Sequence, residues 1–593
     1  MIRRLTVLFL IMAIAGLNLS AGERLPNGIV LPENWPPTID ALNPGPIKPP
    51  YLKSRNIPRP LPIDLGRQLF VDDFLISSTT GMVRSFFKPV KYEGNPVLWP
   101  ETKEELALTT ELGSRPYSET AGRSEHWNPR LKTAPACCLS GGGVWWDAHR
   151  RKFRMWYLAG WCGLPAIAES DDGLHWMRPK VGPRGTNVLM YPEHTFDTFS
   201  VWPDYGADDP YARWNLYVSP GENPCRAYEY VSSDGIGWEL KTRTGLNGDS
   251  STLFYNPFRG KWVWSIRAAW RRRSRIYHEH ADFLEGAKWD FGKDVTERKT
   301  GADPSFYIPG GYHDTKDCVM WLACDEDDIK RTIDGKARRC ELYNVDATPY
   351  ESIMVGLFKI ISGRDNAESA EAGMPKTTTL HFAYSRDGFH FTRPDRTPAI
   401  PDSDWGSGAW DSGYLGAASS GFVIKDERLL FFYTGVRGDA SERTGGVCTL
   451  ANGMHANMSI GVASLRRDGF VGMTADGVGE LTTRPVSFAG KRLFVNVDAR
   501  FGSCAAEIIG EDGSAIDGFS FSDCKAIVHE DTTKHELAFK GGDLSALAGK
   551  AVRIRFRLRV ATLFSFWISK DAGGTSGGYL AAGGPDYAGF RDL

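Results

Sequence analysis

A basic excess is missing from this chain: 70 Lys+Arg stand against 72 Asp+Glu, a formal net charge of −2. Binding a phosphate backbone draws on a marked surplus of cations, so a general nucleic-acid binder is excluded. Long apolar runs are also missing. Leu5 to Leu17 is too short to span a bilayer and no later run is longer, which leaves no integral membrane contact to expect. Cysteine is sparse, 10 in 593 residues, too few to be the framework of the fold. Cys504 with Cys524, Cys318 with Cys324, and Cys138 with Cys162 are candidate bridges, and buried free thiols are an equal alternative for each. No CxxC pair occurs, and His278-Glu279-His280 lacks the spacing that sets two histidines on one helical face. No metal site and no cofactor are read from the chain.

What is abundant is glycine and aromatic side chains: 64 Gly, 19 Trp, 21 Tyr and 31 Phe. That mixture suits short strands and tight turns. Arg3 and Arg4 followed by the apolar stretch, with small Ser20, Ala21 and Gly22 after it, read as a signal peptide over residues 1–21 and predict a secreted or periplasmic protein. Residues 22–62 are a Pro-rich extended lead-in. Thereafter a Ser/Asp-Gly-aromatic tag recurs, at Ser170–Trp176, Ser232–Trp238 and Ser385–Phe391, with a fourth at Arg467–Phe470. Asp-Gly between β-rich runs is a strong hairpin signal, because glycine supplies the positive φ of the turn. Five strand-rich units begin near Gly141, Phe199, Ser250, Glu351 and Gly416, and repeated short strands mean a propeller or solenoid. Arg67 to Ile76 is placed as a strand closing the ring on the last unit, and residues 290–350 as an excursion without periodicity. The expected fold is all-β: a five-bladed propeller over 63–474 followed by a β-sandwich over 475–593, where alternating strands such as Arg492–Ala499 and Ala551–Val560 appear.

This arrangement resembles the five-bladed propeller glycoside hydrolases of families 32, 43 and 68, and family 32 in its added C-terminal sandwich. LFVDDFLI near the start of the propeller, FRMWY in the first unit, and ASLRRDGF leading into LTTRPVSFAGKRLFVN look like family-32-like bacterial secreted proteins. The signatures WMNDPNG, RDP and EC do not occur, so no catalytic residue is carried over. The resemblance implies that innermost strands line an axial channel, with the active site where they begin.

Glycoside hydrolysis uses one carboxyl as acid and another as nucleophile or base. Acidic residues read at strand starts are Asp249 and Glu351, with Asp73, Asp197 and Asp411 completing a ring. The preferred assignment makes Glu351 the general acid, Asp73 the base or nucleophile, and Asp249 the group that tunes the acid. Each Asp has an alternative as an Asx-turn or capping residue. The segment Trp270–His280 is either a solvated basic turn or a site for an anionic sugar, in which Arg275, His278 and the neighbouring Arg267 contact substrate. Trp127 is a candidate sugar platform. The expected activity is cleavage of an oligo- or polysaccharide; a non-catalytic carbohydrate-binding propeller, a glycoside phosphorylase and an envelope interaction module are the alternatives.

Overall fold

In the computed structural model, short antiparallel runs bounded by glycine-bearing turns form five blades. The structure describes residues 22–39, 45–106, 135–194, 196–220, 225–268, 273–290, 318–328, 331–333, 336–364, 376–437 and 457–593. The first blade is Cys137–Asp147, Lys152–Ala159 and Leu164–Ser170; the second is Thr198–Pro203, Trp214–Ser219, Cys225–Ser232 and Glu239–Asn247. Thr252–Asn256, Lys261–Ala268, Ser274–His280 and Cys318–Ala323 build the third. The fourth is Glu341–Glu351, Ile353–Ile361 and Thr378–Ser385, and the fifth contains Gly413–Ala417, Val423–Lys425, Arg428–Val436 and Met458–Arg466.

The Asp-Gly tags fold as anticipated at three sites. Ser170 Oγ accepts the Gly173 N–H (2.8 Å) while Asp172 Oδ1 accepts those of Leu174 and His175; Ser232/Asp234 and Ser385/Asp387 repeat the pattern. Aromatic residues wedge neighbouring blades. Trp145 meets Trp202 edge-on at 4.8 Å, Trp156 lies 4.7 Å from Trp214, and the Trp321 indole donates to the Phe389 carbonyl. Edge-to-face packing of such rings adds to the free energy of burial. At Gly141 (φ +93°) a Cβ would lie 2.2 Å from the Phe199 carbonyl, so glycine there permits the parallel pairing of Gly141 with Phe199 that joins the first two blades.

Ring closure differs from the expectation for Arg67–Ile76. Val90–Lys91 pairs with Ala463 and Ser464 as the outer strand of the fifth blade, whereas Gln68–Leu69 pairs with Phe566 and Ser565 far along the chain. Residues 290–350 are also not an excursion throughout: Cys318–Ala323 ends the third blade and Glu341–Glu351 opens the fourth. The latter reads ELYNVDATPYE, too polar to show a strand period, because it is an innermost strand whose polar side chains meet partners on neighbouring blades.

The C-terminal region forms an eleven-stranded sheet that curls around its own core. One long strand, Val552–Ser569, runs through both layers of this sandwich, bending near Val560 (φ +42°). Its first half pairs with Ser503–Gly510 and Val471–Thr483, its second with Arg492–Asp498. The lead-in and the residues between it and the first blade contribute too: Leu61–Pro62, Gln68–Leu69, Ile76–Thr80 and Val83–Phe86 all belong to this sheet. The sandwich therefore draws strands from both sides of the propeller sequence, and the boundaries near 63 and 474 do not divide the two bodies.

The last residues return to the propeller. Tyr579–Leu580 pairs with Tyr350 and Glu351, Ala582 accepts from Trp146 N–H, and Phe590 stacks on Tyr205 at 4.7 Å and against Trp145 at 5.4 Å. These contacts fall where the innermost strands end, so the tail plugs that end of the axis. Among the described residues no helix is long and apolar enough to cross a membrane, and every cysteine is a free thiol, so the three candidate bridges do not form and the alternative of free thiols holds for each pair.

Candidate functional site at the strand-start end

Asp197 immediately precedes the second blade's innermost strand, and Asp249 lies just before the third's. The other innermost strands bring Cys138, Tyr343, Asp346 and Tyr414 to the same end, while second and third strands of the third and fourth blades bring Arg267, Arg275, Lys359 and Lys376. The sequence-predicted Asp197, Asp249, Arg267 and Arg275 are thus brought together. Asp249 forms an ion pair with the Arg267 guanidinium, whose backbone N–H is held by Ser251 Oγ at 2.9 Å. Arg275 is buried and donates to the Ser250 carbonyl at 2.7 Å.

Electrostatics separates the carboxyls. Burial raises the pKa of Asp197 above the ordinary carboxylate range, against the opposing effects of the Thr198 hydroxyl (3.2 Å), Arg267, the Cys162 thiol (3.7 Å) and Lys359. Asp346, nearly sealed from solvent, is pushed up to about 8 by burial, although Arg275 and Lys359 lie near; its Oδ2 accepts from Asn344 Nδ2 (3.0 Å) and its Oδ1 has no partner among the described residues. Burial likewise lowers Lys359 to about 8 and Arg267 and Arg275 to about 9. One carboxyl ion-paired with arginine beside others held toward the neutral form is the arrangement that divides acid and base roles.

The remaining candidates lie elsewhere. Glu351 does not begin an innermost strand; it ends Glu341–Glu351 in the turn to Ile353–Ile361, with φ +51°. It is fully buried at the junction with the sandwich, where Arg467 Nη2 (3.1 Å), the Arg67 N–H (3.0 Å) and Ser576 Oγ (2.8 Å) all donate to it. A carboxylate with these partners has no lone pair directed at the axis, so the general-acid assignment is withdrawn. Asp73 is an exposed partner of Arg84 in the lead-in, away from the propeller channel. Asp411 accepts from Lys91 Nζ (2.7 Å), Ser403 Oγ (2.6 Å) and Tyr433 Oη (2.9 Å), and so pins the closing strand to the fifth blade rather than completing an acidic ring. His278 binds the Gly286 carbonyl (2.8 Å) and packs between Trp264 and Trp289, a core role. Trp127, like Trp270, Arg271 and Arg272, lies outside the described residues.

Sequence reasoning missed Asp346, Lys359, Lys376, Tyr343 and Tyr414, whereas Arg273 lies in the Trp270–His280 segment it singled out. A signal was present for one of them: Lys359 is the single charge in the apolar strand IMVGLFKII, and a charge in a buried strand requires a partner or a function. A concavity of about 1010 Å³ opens at the plugged end between tail and sandwich. Two of the carboxylates lining it are engaged structurally, Glu427 by Thr533 Oγ1 and Asp592 by the Ser576 N–H.

No family model matches the chain, and no curated protein matches it. Solved structures similar to it include an N-acetylgalactosamine deacetylase from F. plautii in complex with blood group B trisaccharide, at 13% identity over 66% of this chain and 97% of that one, TM-score 0.38. A fructofuranosidase from Schwanniomyces occidentalis complexed with fructose has 10% identity, covering 74% and 98%, TM-score 0.32. An endo-arabinase from Bacteroides thetaiotaomicron has 9% identity, covering 56% and 96%, TM-score 0.30.

Proposed function

We propose that the protein is an exported glycoside hydrolase acting on an oligo- or polysaccharide at the strand-start end of the propeller. The observation that carries this reading is the pair Asp197 and Asp249 at adjacent strand starts in opposed environments: one carboxyl raised by burial, the other ion-paired with Arg267. Asp197 supplies the proton to the glycosidic oxygen as the bond to the anomeric carbon breaks. Asp249, ion-paired with Arg267, is the nucleophile at that carbon or the base for the attacking water. Asp346, held toward its neutral form by burial, adds no second anion beside them. The tail plug closes the other end of the axis and so favours a pocket over a through-channel. The apolar stretch within residues 1–21 supports export.

The test is turnover on a glycan panel by the full chain and by Asp197→Asn and Asp249→Asn. Loss of an acid or nucleophile lowers kcat by about 10²–10⁴ or more, with the fold retained. Undiminished turnover in either variant overturns its assignment, and absence of turnover in the wild type on every glycan it binds leaves a binding propeller instead. The alkaline limb of the kcat/KM profile is expected above the ordinary carboxylate range, because activity is lost as Asp197 deprotonates.

A further inference from the structure

Beside the acids, positive charge gathers with little to neutralise it. The Lys376 ammonium lies 4.0 Å from the Tyr343 ring centre and 5.3 Å from that of Tyr414, and Lys359 lies 4.0 Å from Tyr414 and 4.9 Å from Tyr343. The Arg273 guanidinium is 4.8 Å from the Tyr343 ring and pairs with Glu341 through Nε at 3.3 Å. The two tyrosine hydroxyls are 3.2 Å apart, which fixes the rings as one wall. Lys376 is 1% exposed, and among the described residues neither lysine ammonium has a carboxylate within ion-pair distance or a hydrogen-bond acceptor.

We propose that Lys376, Lys359 and Arg273, converging on the Tyr343–Tyr414 wall, form a subsite for an anionic substituent of the sugar, a sulfate ester or a carboxylate. The inference rests on the glycan reading above and names its substrate class. Burying an ammonium without an ion-pair partner is costly, and an aromatic face returns only part of that cost. The two lysines are therefore held in a state that an incoming anion relieves, with Arg273, already paired with Glu341, beside them. Burial, and then repulsion from Arg273, Lys359 and Arg267, hold the Lys376 pKa well below the usual lysine value against the attraction of Glu341. Arginine offers a fork and lysines offer point charges, a combination suited to an anion approached from several sides. Tyr414 also feels the charge of Asp197, so the subsite adjoins the bond-breaking carboxyl. A charged group bound here would set which sugar occupies the reacting position.

The experiment is isothermal titration of the full chain with two matched pairs: galactose 6-sulfate with galactose, and digalacturonate with its dimethyl ester. The charged member of one pair is expected to bind at least tenfold more tightly, which also tells sulfate from carboxylate. Lys376→Met should abolish that preference and Lys376→Arg should restore part of it. Because Lys376→Met removes a buried charge, its Tm is expected at or above that of the wild type, so loss of binding is read on a folded protein. Equal binding of charged and neutral members, including no binding of either, overturns the proposal. So does a preference that survives Lys376→Met, or acceleration of glycan cleavage by inorganic phosphate, which would assign the cations to a free co-substrate. Charge preference without cleavage leaves the subsite standing and removes the hydrolase reading; cleavage without charge preference does the reverse.

Discussion

Asp346 shows how one side chain at the axis is tuned. Its carboxyl has one amide donor, an oxygen without a partner, and almost no solvent, so the folded protein holds its proton up to about pH 8. In the unfolded chain the same group ionises near the ordinary aspartate value. Between those two pH values the folded state binds more protons than the unfolded state, and stability falls as pH rises. Asp346→Asn preserves the amide-compatible shape and removes the titration. Its Tm is expected to match the wild type near pH 4 and to exceed it increasingly toward pH 8, as measured by calorimetry. A constant offset across that range would show that Asp346 is ionised in the native state.

At the scale of elements, the turn from Glu341–Glu351 into Ile353–Ile361 ties blade to sandwich. Glu351 and Asp468 share Arg67 and Arg467, Tyr350 Oη and Ser565 Oγ each donate to Asp468 at 2.6 Å, and Arg67 lies 4.2 Å from the Trp567 ring centre. Burial opposes ionisation of Asp468, yet the two arginines outweigh it and hold its pKa at about 2. Removing one partner from such a network strands the opposite charge, at about 3–5 kcal/mol. Glu351→Gln should therefore lower Tm by several degrees while leaving kcat near wild type at temperatures where the protein is folded. A loss of kcat with unchanged Tm would return Glu351 to the chemistry.

Across the whole molecule, chain order and spatial order diverge. The lead-in completes the sandwich, and the segment after the sandwich re-enters the propeller, so each body is locked by a strand from beyond the other. Phe590 packs on Trp145, Tyr205 and Tyr211, whose neighbours belong to the first two blades. Emptying that site by Phe590→Ala should destabilise by about 3–5 kcal/mol, as for other large buried rings. Unfolding of blades and sandwich should remain a single transition in the wild type and separate into two in this variant. A single unshifted transition would show that the plug contributes nothing to the propeller.

The sequence by itself determined the all-β class, three of the Asp-Gly turns, and Asp197, Asp249, Arg267 and Arg275 as residues of interest. These depend on local physics: alternation, positive φ at glycine, and charge next to an apolar run. It did not determine which acids share a site. Glu351 read as a strand start because the polar strand preceding it carries no period of its own; pairing with Ile353–Ile361 and burial by Arg67 and Arg467, hundreds or scores of residues away, decide its place. Lys376 and Arg273 meet Tyr343 and Tyr414 only because the third, fourth and fifth blades stand side by side around one axis. Convergence of charge is a property of that closure, and it exists in no stretch of the chain taken alone.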